Sequence, residues 1–211
     1  MADFLDDRRE LRLTDGALLL GGCAEALAAP LLAAIERITV VSPFRRMLTP
    51  GGRQMAVAMT NCGAAGWITD RRGYRYQRCD PQTGAPWPPM PEIFADLGRR
   101  AAAAAGFPGF VADACLINRY EPGVGLSLHQ DRNERDLAVP VVSVSLGLPA
   151  TFLWGGQRRA DRPQRVLLHH GDVVVWGGPA RLAFHGVQPL AEGEHPLTGR
   201  LRFNLTLRGA L

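Results

Sequence analysis

Lysine is missing from this sequence: all 24 basic side chains in its 211 residues are arginine. Alanine and glycine are frequent, so the absence reads first as genome composition. No apolar run approaches the ~18 residues of a membrane-spanning helix, and no helical span is expected. The opening MADFLDDRRE is charged and acidic, unlike a secretory leader, so a cytoplasmic location is the expectation. CxxC pairs are absent too. Cys23, Cys62, Cys79 and Cys115 lie far apart, which argues against a disulfide framework and against a Cys-only zinc site. Free thiols, mostly packed as small apolar side chains, are expected. Charged residues, at 21%, fall a little below the usual quarter, while 46% of the chain is hydrophobic. That composition suits a buried core and not a disordered chain. The length suits a single domain over residues 1–211, and a monomer is the default.

What is present is unevenly placed. The whole chain carries +4. Arg45, Arg46, Arg53, Arg71, Arg72, Arg75 and Arg78 are accompanied by one acid, Asp70, so that segment alone carries +6 (seven minus one). A local basic surface attracts polyanions; an ordinary solvated face has the same composition.

The chain divides by pattern. Residues 1–20 read as an irregular arm and 23–38 as a helix kinked or split at Pro30, giving an N-terminal arm and helix over 1–41. Residues 42–90 are rich in glycine, proline, arginine and aromatics, with turn chemistry in TPGG (49–52) and DPQTGAPWPPMP (80–91). A long irregular stretch in a compact domain suggests a binding loop or lid. Trp67, Tyr74, Tyr76 and Trp87 argue against disorder there. Within 91–111, PEIFADLGRRAAAAA reads as a helix with Pro91 near its start and Gly106 past its end. From 112 to 211 come short β-rich runs separated by glycine, proline or charge, with no helix-length period between them. The expectation is a mainly β (α+β) fold, a sandwich or jelly roll rather than a parallel βαβ sheet.

Three sets of residues could carry chemistry. In a strand, alternate residues share a face. RFNLTLR therefore places Arg202, Asn204, Thr206 and Arg208 together, opposite Leu201, Phe203, Leu205 and Leu207. That polar face is either solvated or turned inward, where two guanidiniums need anionic partners; arginine grips carboxylates in a bidentate fork. In HQD, His129 and Asp131 point the same way. With His185, 56 residues on, they would make two imidazoles and one carboxylate, the facial set that leaves open positions on Fe(II). HxD alone is weak and needs that third ligand. Asn118 and Tyr120 in INRYEPG share a face and can donate to a carboxylate or merely decorate a strand. His169, His170 and His195 suit core or turn roles.

Taken together, these features resemble the AlkB family. TPGGRQM, AMTNCG, GWITDRRGY, DPQTGAPWP, LINRYEPG, LSLHQD, VSVSLGLPA, GDVVVWGG, HGVQPL and RFNLTLR follow family order from about residue 42 to the end. The resemblance implies a double-stranded β-helix core with N-terminal helices and a nucleotide-recognition lid. It implies that His129, Asp131 and His185 bind Fe(II), that Asn118, Tyr120, Arg202, Asn204 and Arg208 bind 2-oxoglutarate, and that O2 is co-substrate. The implied reaction is oxidative dealkylation of bases of the 1-methyladenine and 3-methylcytosine type, releasing formaldehyde and succinate. The implied partner is alkylated DNA, preferably single-stranded, with RNA as a further substrate. Trp67, Tyr74, Arg75, Tyr76, Asn133 and Arg159 match substrate-contacting positions, with Trp67 opposite the His129 ring. Thr49, Arg53, Arg132 and the Arg71–Arg75 group would meet phosphates. One departure stands out: bacterial relatives carry a carboxylate two residues after the ligand Asp, and this chain has Asn133, which leaves base preference open. The alternatives are a 2-oxoglutarate-dependent hydroxylase of a small metabolite or protein side chain, which needs no basic aromatic lid, and a non-catalytic jelly-roll binding module.

Overall fold

The computed structural model describes residues 10–211. Thirteen strands and two helices are defined among them. In chain order they are β1 (Leu11–Thr14), β2 (Ala17–Leu20), α1 (Ala28–Val41), β3 (Ala58–Gly63), β4 (Gly66–Asp70), β5 (Gly73–Gln77), α2 (Glu92–Ala104), β6 (Ala114–Tyr120), β7 (Leu126–His129), β8 (Val141–Gly147), β9 (Ala150–Trp154), β10 (Gln164–Leu168), β11 (Val173–Trp176), β12 (His185–Val187) and β13 (Arg202–Arg208).

Strands of alternating character build a major sheet ordered β1-β2-β11-β8-β13-β6-β3, and a minor sheet ordered β10-β9-β12-β7 faces it. All their pairings are antiparallel. In β8 the sequence VVSVSLG shows how the layers arise. Val142, Val144 and Leu146 join a core with Leu31, Ile35 and Ile38 of α1 and Phe94, Leu97 and Ala101 of α2. Ser143 and Ser145 point the other way, toward β13 side chains between the sheets. A second core, with Phe152, Trp154, Val166 and Leu168 from the minor sheet and Leu19, Val174 and Trp176 from the major one, seals one end of the sandwich. The other end stays open under the β4–β5 hairpin. This is the jelly-roll arrangement, helices on one outer face and the cavity between the sheets.

Four expectations are corrected. The supposed irregular arm contains the β1–β2 hairpin, turned at Asp15 and Gly16; Gly16 has φ +77° and a Cβ there would sit 2.4 Å from the Gly177 carbonyl. Residues 1–9 of that arm lie outside the described residues. Helix α1 is not kinked at Pro30. It starts at Ala28 after a 3-10 turn over Glu25–Leu27 and runs to Val41, so Pro30 falls in its first turn, where a missing N–H costs no intrahelical bond. Within 42–90, expected to be irregular, β3 is the edge strand of the major sheet, paired to β6, and β4 and β5 form a separate two-stranded sheet. Only two cysteines are packed: Cys62 and Cys115 are buried as cross-strand partners, whereas Cys23 and Cys79 are exposed. The remaining histidines keep to structure, His170 accepting from the Gly147 N–H at 2.9 Å and stacking on His195 at 4.3 Å.

Candidate active site

The metal centre starts from strand pairing. His185 opens β12 directly opposite His129, the last residue of β7. That register brings the two rings to 4.4 Å between centroids, and Asp131, two residues beyond, completes a set whose ligand atoms all lie within 4.8 Å of one another. Each imidazole Nδ1 meets a backbone carbonyl, Ser127 at 2.9 Å for His129 and Ala183 at 3.0 Å for His185. Donation from Nδ1 fixes the tautomer that leaves Nε2 as a ligand. Burial, then the neighbouring His129, push the His185 pKa down to about 4, so it is neutral at physiological pH. Burial also works against ionisation of Asp131, but Arg208 and the two imidazoles outweigh it and hold the carboxyl well below its usual range. Two imidazoles and one carboxylate on one side of a cavity suit a divalent iron with open positions.

Asp131 is oriented by what surrounds it. Its Oδ2 accepts from Arg208 Nη2 at 2.6 Å and Nε at 3.2 Å, while Oδ1 is turned to the His129 side. Arg181 donates to the Asp131 backbone carbonyl at 2.6 Å and to Glu134 Oε2 at 3.0 Å. Composition hides both: Glu134 was one acid after an unusual Asn, and nothing distinguished Arg181 from its fellow arginines.

On the facing sheet, register pairs Arg202 with Tyr120 and Asn204 with Asn118. The inward alternative for RFNLTLR holds, since Arg202, Asn204, Thr206 and Arg208 are all buried. Arg202 is 1% exposed. It donates to Ser145 Oγ at 2.8 Å and to the Leu148 carbonyl at 3.4 Å, yet its Nε has no partner and no carboxylate pairs with it among the described residues. Burial lowers its pKa to about 10. The Asn118 carbonyl oxygen is likewise buried without a partner. Native interiors rarely leave such groups unsatisfied; the buried Arg202 donor fits an anionic guest, whereas the Asn118 oxygen, an acceptor, needs a donor. Alternating serines in VSVSLGL were the overlooked signal for the Arg202 support.

These residues border one cavity of about 520 Å³, shared by the triad, Asn118, Tyr120, Arg202, Asn204 and Arg208. Its mouth carries Thr49, Trp67, Tyr74, Arg132, Asn133 and Arg159. Trp67 and Tyr74 stack at 5.6 Å and 20°, and Trp67 Nε1 donates to Asn133 Oδ1 at 3.2 Å. Arg159 lies over Phe184 at 6.0 Å. Two expected substrate residues are placed elsewhere. Arg75 forms a two-pronged pair with Asp70 inside the hairpin, at 2.7 and 2.9 Å, and does not line the cavity. Tyr76 sends its hydroxyl to Glu134 at 2.6 Å. Arg75 departs because β5 alternates and it faces away from Tyr74; Tyr76 shares the Tyr74 face, but its hydroxyl is taken up by Glu134 and Arg208, so Tyr74 alone of the three lines the cavity.

Residues 24–208 match the family model for the 2OG-Fe(II) oxygenase superfamily. The alpha-ketoglutarate-dependent dioxygenase AlkB of Salmonella typhimurium strain LT2 is 58% identical over 198 residues, 94% of this chain and 92% of that protein. The nucleic acid dioxygenase ALKBH1 of Mus musculus is 37% identical over 132 residues, 61% of this chain and 33% of that one. The solved structure of OsALKBH1 is similar with a TM-score of 0.84 at 28% identity, over 94% of this chain and 99% of that chain. With the triad geometry and these matches in hand, the chain belongs to the AlkB family of iron(II)- and 2-oxoglutarate-dependent dioxygenases.

Proposed function

We propose that this dioxygenase dealkylates N-alkylated bases of nucleic acid, of the 1-methyladenine and 3-methylcytosine type, in DNA, preferably single-stranded, and in RNA. The observation that carries the reading is the stacked Trp67–Tyr74 pair at the mouth of the cavity that holds the triad. A base must leave its stack to reach a metal so enclosed. An aromatic face offers it roughly 1–3 kcal/mol in return, and a ring carrying the charge of 1-methylation or 3-methylation adds cation–π attraction. Arg46, Arg53, Arg71, Arg72 and Arg78, all within the segment that carries Trp67 and Tyr74, are exposed and suited to phosphates.

The chain's own groups have separate tasks. His129, Asp131 and His185 would hold the iron. Arg202 would pair with a carboxylate of 2-oxoglutarate, and Asn118, Tyr120 and Asn204, which line the same cavity, would hydrogen-bond it. Arg208 restrains Asp131 and adds positive charge beside the co-substrate. When bound, iron(II) and 2-oxoglutarate supply the oxidation: O2 is consumed, succinate and CO2 form, and the N-alkyl carbon gains a hydroxyl. A hydroxymethyl group on nitrogen then leaves as formaldehyde. The buried walls exclude water from this chemistry. The working form is a cytoplasmic monomer.

Mass spectrometry of alkylated single- and double-stranded DNA and RNA oligonucleotides, incubated with Fe(II) and 2-oxoglutarate beside free nucleosides and amino acids, tests the reading. Loss of methyl from 1-methyladenine or 3-methylcytosine in an oligonucleotide is expected. Turnover confined to free small molecules or amino acids would instead establish the metabolite or side-chain hydroxylase.

A further inference from the structure

Beneath the metal ligands lies a closed ring of charged groups drawn from four parts of the chain. Asp131 accepts from Arg208, Arg208 Nη1 donates to the Tyr76 hydroxyl at 3.3 Å, Tyr76 donates to Glu134 at 2.6 Å, and Glu134 accepts from Arg181 at 3.0 Å. Arg181 closes the ring on the Asp131 backbone carbonyl. Arg208 Nε also lies 3.4 Å from Glu134. The Glu134 side chain is 1% exposed and that of Arg181 3%. Two carboxylates and two guanidiniums balance within the ring, as buried charges must. Glu134 lines no part of the cavity, so substrate contact does not account for it.

We propose that Glu134 is a positioning residue for the iron ligand Asp131, and that through Tyr76 it makes the metal site responsive to the seating of the β4–β5 hairpin. The physical reason is charge sharing. Arg208 faces both Asp131 and Glu134, so its pull on the ligand carboxylate is divided. Without Glu134, the whole charge of Arg208 bears on Asp131 and withdraws electron density from the metal, while Arg181 loses the partner that steadies the 131–134 turn. Partners behind metal ligands commonly change metal affinity by 10–100-fold. Tyr76 belongs to β5, so a shift of the hairpin alters the hydrogen bonds reaching Glu134 and Arg208. The inference rests on the triad alone and not on the nucleic-acid substrate.

The test uses the full chain, stripped of metal and titrated with Mn(II), with no nucleic acid present. Glu134→Gln is expected to weaken Mn(II) binding about tenfold or more, and Tyr76→Phe about threefold. Both variants should also shift the visible bands of the Co(II)-loaded protein, which report the ligand field. Asp172→Asn is the control: Asp172 is a buried carboxylate that accepts from the Gly22 and His169 N–H groups, so its loss should lower the melting temperature and leave the Mn(II) Kd and Co(II) bands unchanged. Wild-type affinity and spectrum in both Glu134→Gln and Tyr76→Phe would overturn the proposal. So would an equal loss of affinity in Asp172→Asn. If Glu134→Gln does not fold, Tyr76→Phe decides alone, an unchanged Kd counting against.

Discussion

Arg202 is a cation that the fold buries without an anion. Such a charge lowers stability until its partner arrives, so stability and function should part company at this position. Arg202→Met is expected to raise KM for 2-oxoglutarate about a hundredfold or more, while the melting temperature without co-substrate holds or rises. A fall in melting temperature with an unchanged KM would remove Arg202 from the co-substrate site. Asn133 offers a sharper test of base choice. Trp67 Nε1 can only donate, so its bond fixes the Asn133 oxygen toward the indole and turns the amide nitrogen away. A donor at that rim suits a base with a carbonyl beside the alkylated nitrogen and gives a cationic base no countercharge. Asn133→Asp should therefore raise turnover of 1-methyladenine relative to 1-methylguanine by about tenfold, measured by competition between the two in one oligonucleotide mixture. An unchanged ratio would exclude Asn133 from the choice. At this scale, strand alternation and residue type could nominate the triad and the polar face of RFNLTLR, but each kept a bland alternative until the family resemblance was added. Arg181 and Glu134 were not legible, since a buried charge looks like a surface charge until its partners are assembled.

Among the elements, the β4–β5 hairpin is the one whose seating matters most. Asn61 on β3 holds the Trp67 backbone through both amide groups, at 2.9 and 3.0 Å, and the Trp87 indole N–H donates to the Gln77 carbonyl at the other end. Gly66 makes this possible: a Cβ there would lie 2.4 Å from the Trp87 ring and 2.8 Å from the Asn61 Cβ, and neither can yield easily. Gly66→Ala should cost about 1–3 kcal/mol. Because Trp67 and Tyr74 ride on the hairpin, KM for an alkylated oligonucleotide should rise severalfold, with succinate formation in the absence of substrate retained. Equal loss of both activities would show that the hairpin is not a separate recognition element. Elements with one strong signal were readable in advance: α2 from its Pro91 and Gly106 boundaries, β13 from its alternation. The β1–β2 hairpin was missed because its strands have four residues each, too short to show a period, and take their stability from pairing with β11 far along the chain. Pro30 misled because proline breaks helix interiors but is tolerated in a first turn.

The whole molecule carries ionised groups inside its fold, and its stability must therefore depend on pH. His185 is the clearest contributor. Burial first, and His129 second, lower its pKa from about 6.5 in the unfolded chain to about 4 in the folded metal-free protein. The folded state thus binds this proton more weakly than the unfolded state. Above about pH 6.5 neither state is protonated at His185 and the contribution to stability is complete. As pH falls from about 6.5 to about 4 the unfolded chain gains a proton that the folded one refuses, and stability declines, by an amount on the order of 3 kcal/mol. Asp131, also depressed, extends the loss to lower pH, because its carboxylate must be protonated before the pair with Arg208 fails. Melting curves of the metal-free protein between pH 7.5 and 4 should show this decline, and His185→Gln should flatten it above pH 4 while leaving the more acidic limb. Parallel pH profiles for the two proteins would show that the folded state admits the proton after all. A bound divalent metal requires the same neutral imidazole, so Mn(II) should raise the melting temperature most near pH 7 and progressively less toward pH 4.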